Sequence, residues 1–296
     1  MQNDVPLLIE ADWINDWKHY QALRRRSDNA AFWDERSKTF TTKDAPSAYI
    51  EAFLRLADIQ PGNTVFDMGC GNGALALPLA RAGHAVIAAD FSRGMLDILR
   101  ATQATEHLDG ITTVQMSWED DWGLFGVGKK SADVCIASRS LAVADLRDAL
   151  LRLTAVARKR VCITLATGAS PRTDERVLRA IGLRAQAGRD YQYAFNILAN
   201  EGIQPTVSYI DNTRTDTFDS FDAAYLTYKR MIADATAHTA SDEQRERALP
   251  RLQKWLHDNL VSNEHAGEPD EKGRPQAALR LAIPRTVRWA FLSWEV

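Results

Sequence analysis

The stretch Val65-Phe66-Asp67-Met68-Gly69-Cys70-Gly71-Asn72-Gly73-Ala74-Leu75 constrains this chain more than any other. A short apolar run ends in an acid, and three glycines follow at alternate positions before a helical pattern begins. That order reads as a strand entering a tight turn, then a helix whose free N–H groups face whatever lies above the turn. Glycine permits the dihedrals of such a turn and lets a ligand approach the backbone. A nucleoside cofactor fits. As Gly69-x-Gly71-x-x-Ala74 the stretch satisfies the dinucleotide spacing, with Asp90 about where a ribose-binding acid belongs.

Around this turn the chain alternates. Strand 64–68 precedes helix 73–82, which Gly83 closes, and strand 85–90 leads into helix 92–104. Strands at 111–116, 133–138 and 160–166 follow, with helix 145–157 between the last two. Continuously apolar strands alternating with helices predict a doubly wound parallel sheet, covered on both faces, with ligands at the strands' C-terminal edge. Upstream, residues 11–26 place Trp13, Ile14, Trp17 and Tyr20 on one helical face. Phe32-Trp33-Asp34-Glu35-Arg36 is an aromatic and charged knot, and a helix with Pro46 near its first turn carries Ile50, Phe53, Leu54 and Ala57. Beyond residue 167 the rhythm changes to helical patterns at 173–182 and 190–201, a strand-like run at 206–210 and a helix from Ser220. A charged helix over 242–261 is expected to kink at Pro250, residues 263–276 read as a loop, and 286–294 reads as a terminal strand.

Composition narrows the function classes. Of 296 residues, 45% are hydrophobic and 25% charged, which is ordinary for a globular protein, and the net charge of −3 gives no basic field to recommend nucleic acid. The Arg24-Arg25-Arg26 run lies in a helical pattern and reads as a solvated face. Cys70, Cys135 and Cys162 are far apart in sequence, as expected of buried free thiols in a reducing compartment. Residues 1–6 lack the pattern of a signal peptide and no apolar run reaches membrane-spanning length, so the expected location is the cytoplasm. Histidines 19, 84, 107, 238, 257 and 265 form no ligand-spaced pair, which argues against a metal site.

Read as Asp67-x-Gly69-x-Gly71-x-Gly73, the turn resembles motif I of the class I S-adenosylmethionine-dependent methyltransferases. Asp67 ends the strand, where the family places an acid near the methionine end of the cofactor, and Gly73 has no role in the dinucleotide pattern. The apolar strand after a long excursion matches the antiparallel last strand of the family's seven-stranded sheet. The resemblance, covering residues 46–166 best, implies S-adenosyl-L-methionine as cofactor and S-adenosyl-L-homocysteine as product. It further implies that Asp67, Gly69, Cys70, Gly71 and Gly73 face the cofactor, that Asp90 accepts ribose hydroxyls and that Phe91 flanks adenine. Ser117 stands where the family often carries an acid against the adenine amino group, so that contact passes either to a backbone group or to Glu119. Trp118 is placed there too, with core packing an equal reading. Three parts follow: an N-terminal helical lid (1–60), a cofactor-binding core (61–168), and a helical cap completing the sheet (169–296), in one structural domain.

Because the cofactor supplies the electrophile, the protein's share is positioning, desolvation and sometimes a base. The resemblance puts the loop after the fourth strand, Ser138-Arg139-Ser140-Leu141, near the reactive methyl with Ser138 at the cofactor, yet the loop lacks the Asn/Asp-Pro-Pro-aromatic motif of adenine and glutamine amine methyltransferases and the Pro-Cys pair of cytosine-carbon enzymes. Arg139 either holds a carboxylate or phosphate of substrate or cofactor, or pairs with Asp34 or Glu35. Phe32, Trp33, Phe40, Tyr49 and, from the insert, Arg189, Tyr191, Tyr193 and Phe195 either pack the core or close a pocket over a small-molecule acceptor. The alternatives are a nicotinamide-dependent oxidoreductase, a non-catalytic S-adenosylmethionine-binding protein, and a protein or RNA methyltransferase.

Overall fold

The computed structural model describes residues 11–24, 29–38, 48–168, 170–185, 188–270 and 275–296. The sequence features at Arg25–Arg26, Phe40 and Pro46 lie outside them. Seven strands form the main sheet: β1 (Val65–Met68), β2 (Val86–Asp90), β3 (Ile111–Gln115), β4 (Ala132–Ser138), β5 (Ala157–Ala166), β6 (Thr206–Arg214) and β10 (Arg285–Glu295). Their order is β3-β2-β1-β4-β5-β10-β6, and β10 runs antiparallel to both neighbours while the β3-to-β5 ladders are parallel. The order reverses between β1 and β4, which places the crevice of an open sheet beside the glycine turn.

Two apolar cores flank the sheet because alternate side chains point to opposite faces. One joins Phe66 and Met68 to α1 (Trp13–Arg24), α6 (Leu146–Val156) and α8 (Asp190–Asn200) through Trp17, Leu150 and Ile197. The other joins Val65 to α3 (Ala48–Ala57), α4 (Ala76–Arg81) and α5 (Arg93–Thr105) through Phe53, Leu79 and Leu96. The aromatic and charged knot forms a helix of its own, α2 (Ala30–Ser37), which packs on α5. The N-terminal helices therefore divide between the two faces. Asn29 caps α2, its side chain accepting from the Phe32 N–H.

A third core lies in the cap, built by α7 (Glu175–Ala180), α9 (Phe221–Ala235) and α10 (Asp242–Asn259) around Leu178, Tyr228 and Leu252. Three short strands close it in the order β7-β9-β8 (Thr217–Phe218, Leu279–Leu281, Leu260–Ser262). Helix α10 continues through Pro250 as one element, opened by a capping box between Ser241 and Gln244. Where cap and sheet meet, a cavity of about 400 Å³ is lined by Arg172, Asp174, Asp216, Tyr228 and Arg285, among others. Arg285 is 8% exposed and lies 2.9 Å from Asp216, which also pairs with Arg214. Among the described residues no helix is long and apolar enough to cross a membrane.

Candidate functional site

The turn is pinned to β2: the N–H groups of Gly69 and Cys70 both donate to the Ala89 carbonyl, at 2.8 and 3.0 Å. Its three glycines have positive φ but different surroundings. A Cβ at Gly69 would lie 2.3 Å from Ser140 Cβ, and one at Gly73 would lie 2.4 Å from Leu99 Cδ1. At Gly71, with φ of +55°, a Cβ would meet nothing within 4 Å. The outer glycines let the chain pack, while the middle one borders open space that a ligand can enter. Helix α4 begins at Ala76, later than the expected residue 73, because left-handed Gly73 cannot join a right-handed helix. The bend itself, rather than a helix end, faces that space.

Two carboxyl groups flank the bend. Asp67 is 2% exposed and its Oδ2 has no hydrogen-bond partner among the described residues. Burial, with the nearby Asp90 charge, pushes its pKa up to about 8. Asp90 is also buried, but Oδ2 accepts from the Gly71 N–H and Oδ1 from the Ser92 N–H, both at 2.8 Å. Burial raises its pKa while these donors pull it down. Each carboxylate oxygen retains a further lone pair, so Asp90 can still accept from hydroxyls. Cys70 is buried, and its thiol is pushed well up by burial and by the two acids. It is a packed thiol, not a nucleophile.

Asp34, on α2, is brought to the same place. Its Oδ1 accepts from Ser92 Oγ at 2.6 Å and from the Gly94 N–H at 2.9 Å, which lowers its pKa. It therefore braces the segment carrying Asp90 and the half-buried Phe91. Trp33, on the same helix, packs edge-on against Phe32.

At the end of β3, Asp120 folds back so that its Oδ2 accepts from the Ser117 N–H at 2.8 Å, while Glu119 is exposed. The Ser117 carbonyl accepts from Trp122 Nε1 at 3.1 Å. Trp118 is 7% exposed and packs on Trp122, so its ring belongs to the core beneath this loop. Nothing in the order Ser117-Trp118-Glu119-Asp120 singles out the last acid except its three-residue spacing from Ser117, the spacing at which the acid of a capping box reaches back to a preceding N–H.

Beyond β4 a hydroxyl network replaces the expected acid partners of Arg139. The buried Tyr49 hydroxyl lies 2.7 Å from both Ser138 Oγ and Thr164 Oγ1, and the Arg139 N–H donates to Thr164 Oγ1 at 3.1 Å. The Arg139 guanidinium lies 4.4 Å from the Tyr49 ring centroid and 5.9 Å from that of Trp289. Asp34 is occupied at α5 and Glu35 pairs with Lys38, so neither ion pair considered for Arg139 forms. Tyr191 is elsewhere: it packs edge-on against Tyr209 of the edge strand β6, three strands along from β4. Arg189, Tyr193 and Phe195 also sit at α8, where Tyr193 stacks on Tyr20.

Chemically, the bend offers an uncompensated carboxyl for a cation, an acid for hydroxyl donors and a bare backbone edge. Among the described residues no group of His, Cys, Asp and Glu could hold a metal ion.

Residues 65–160 match the family model described as a methyltransferase domain. An uncharacterised protein of Haemophilus influenzae is 38% identical over 181 residues, covering 60% of this chain and 66% of that one. A Photobacterium angustum 23S rRNA (uracil(1939)-C(5))-methyltransferase is 33% identical over 79 residues, 27% of this chain and 36% of its own. The chain thus spans less than two thirds of the length of these relatives. Among solved structures, a Bacillus halodurans protein matches with a TM-score of 0.50 at 12% identity, over 83% of this chain and 97% of that one. That likeness concerns the fold alone.

Proposed function

We propose that this chain, a member of the class I methyltransferase superfamily by its domain at residues 65–160 and its sheet order, transfers a methyl group from S-adenosyl-L-methionine to a small-molecule acceptor. The observation that carries the reading is Asp67: a fully buried carboxyl with an unpartnered oxygen beside an open glycine. Such a group is costly unless a ligand completes it. The cofactor's ammonium is a matching partner, and a sulfonium methyl is the electrophile the cofactor supplies when bound.

The chain's own residues then have distinct tasks. Asp67 takes the ammonium and Asp90 accepts the ribose hydroxyls, held in orientation by the Gly71 and Ser92 N–H groups. Gly71 admits the ligand to the backbone, with Gly69, Cys70 and Gly73 shaping the bend around it. Phe91 and the Ser117 loop border the adenine, with Asp120 rather than Glu119 holding that loop's shape. The acceptor enters from the side of Ser138–Ser140, where positioning and exclusion of water are the protein's contribution. Tyr49 supports that loop from beneath.

Calorimetric titration with S-adenosyl-L-homocysteine and, separately, with NAD tests the reading. Binding of the former and not the latter is expected, with Asp67→Ala and Asp90→Ala each weakening it. NAD binding without S-adenosyl-L-homocysteine binding would sink the proposal.

A further inference from the structure

Arg139 occupies an unusual position. Its φ is +60°, a left-handed conformation that is strained for a non-glycine residue. The other described non-glycine residues with positive φ are Asp58 and His107, just past helix ends, and Lys130, in a turn before β4. Arg139 instead sits directly at the C-terminal end of a central strand. It is fixed from three directions: its N–H donates to Thr164 Oγ1, Ser140 Oγ donates to the Met68 carbonyl at 2.8 Å, and Ser140 closes over Gly69. Backbone strain held by its surroundings is a signature of function when a side chain is aimed by it.

The guanidinium aimed here has aromatic support and, among the described residues, no counter-ion. It rests on Tyr49 and nears Trp289, yet forms no ion pair among the described residues. Elsewhere the protein pairs its arginines freely, as with Arg81–Glu106, Arg147–Glu201 and Arg288–Asp211. A preoriented fork on an aromatic face is suited to a planar or tetrahedral anion. Two anions could reach it: one on the acceptor, or the cofactor's own carboxylate. The direction of lean separates them. Trp289 lies on β10, in register with Ala166 of β5, whereas Asp67 and Asp90 lie on β1 and β2, on the other side of β4. The guanidinium lies over Tyr49, which bridges β4 and β5, and toward β10, on the side of β4 opposite the strands that carry those acids.

We propose that Arg139 clamps the acceptor, and that the acceptor is therefore a small molecule bearing a carboxylate or phosphate. This rests on the cofactor reading above, and the experiment separates the two. Ligand-observed NMR would follow benzoate and inorganic phosphate binding to the wild type saturated with S-adenosyl-L-homocysteine, and to Arg139→Gln and Arg139→Lys. At least one probe should bind the wild-type complex, and Arg139→Gln should weaken it by about tenfold or more, with Arg139→Lys between. The Kd for S-adenosyl-L-homocysteine should stay unchanged in both variants. Weaker binding of S-adenosyl-L-homocysteine in Arg139→Gln, with 5′-methylthioadenosine unaffected, would assign the arginine to the cofactor's carboxylate and overturn the proposal. So would probes that ignore the substitution, or that fail to bind the wild-type complex. Failure of S-adenosyl-L-homocysteine to bind the wild type would instead strike the cofactor reading, and this inference with it.

Discussion

At the scale of single residues, Asp67 sets a pH dependence whose sign follows from its surroundings. An unfolded chain loses this proton near its ordinary value of 3.8, whereas the folded, ligand-free chain keeps it until about 8. Between those values the folded state holds the extra proton, so Asp67 makes ligand-free stability fall as pH rises through that window. Thermal melts of the wild type and Asp67→Asn should converge toward low pH, with the variant losing less stability by pH 8. If the cofactor's ammonium requires the ionised carboxylate, S-adenosyl-L-homocysteine affinity should rise with pH below about 8, approaching tenfold per unit, and flatten above it. Calorimetry across pH checks this, and a flat profile would remove Asp67 from the ammonium. The glycines divide in the same spirit. Gly69→Ala should lower Tm strongly, because its Cβ would meet Ser140 at 2.3 Å. Gly71→Ala, strained by φ but spatially free, should weaken S-adenosyl-L-homocysteine binding more than it lowers Tm.

Elements explain why some residues of the site were legible and others were not. Asp67 is the penultimate residue of β1 and Asp90 the last of β2, adjacent strands, and an acid after an apolar run can be seen in sequence. Asp34 and Asp120 do their work after the chain has turned back on itself, so no local pattern marks them. The knot at 32–36 spells a helix only once Asn29 caps it and α5 receives it. That contact yields a prediction: Asp34→Ala removes the acceptor for Ser92 Oγ and the Gly94 N–H and should cost roughly 1 kcal/mol of stability. It should also weaken S-adenosyl-L-homocysteine binding by loosening the Asp90 turn, measured by denaturant melts beside calorimetry. A change in stability without a change in affinity would show α2 to be mere packing. The parallel core was legible because its strands are continuously apolar. The cap's small sheet was not, since strands of two or three residues show no period. Likewise β6 reads as ending at 210 because its last residues, Asp211-Asn212-Thr213-Arg214, are polar, yet their pairing with β10 carries the strand to Arg214.

For the whole molecule, three separate cores imply partly separable stabilities. Asp216 stands between cap and sheet, pairing with Arg214 and with buried Arg285 at the start of β10. Asp216→Asn would take the ion-pair partner from buried Arg285 and leave it only the more remote Asp174, a loss of up to about 3 kcal/mol. The expected outcome is a lower Tm with S-adenosyl-L-homocysteine affinity intact, because the bend and its acids belong to the other cores. Equal losses of both would mean that the cap helps to form the cofactor site.

The position of β10 has a consequence in time as well as space. Among the described residues strand β6 has one ladder partner, β10, which lies between it and β5 in the sheet but far after it in the chain. Strands β1 to β5 can zip together as they appear, while β6 must wait through the cap before it has anything to pair with. Closing that long loop is entropically slow, so the edge of the sheet should assemble last. Until it does, the strand that brings Trp289 beside Arg139 is missing, and the side of the site proposed for the acceptor is unfinished. A refolding chain should therefore bind S-adenosyl-L-homocysteine before it can bind an anion at the proposed acceptor side.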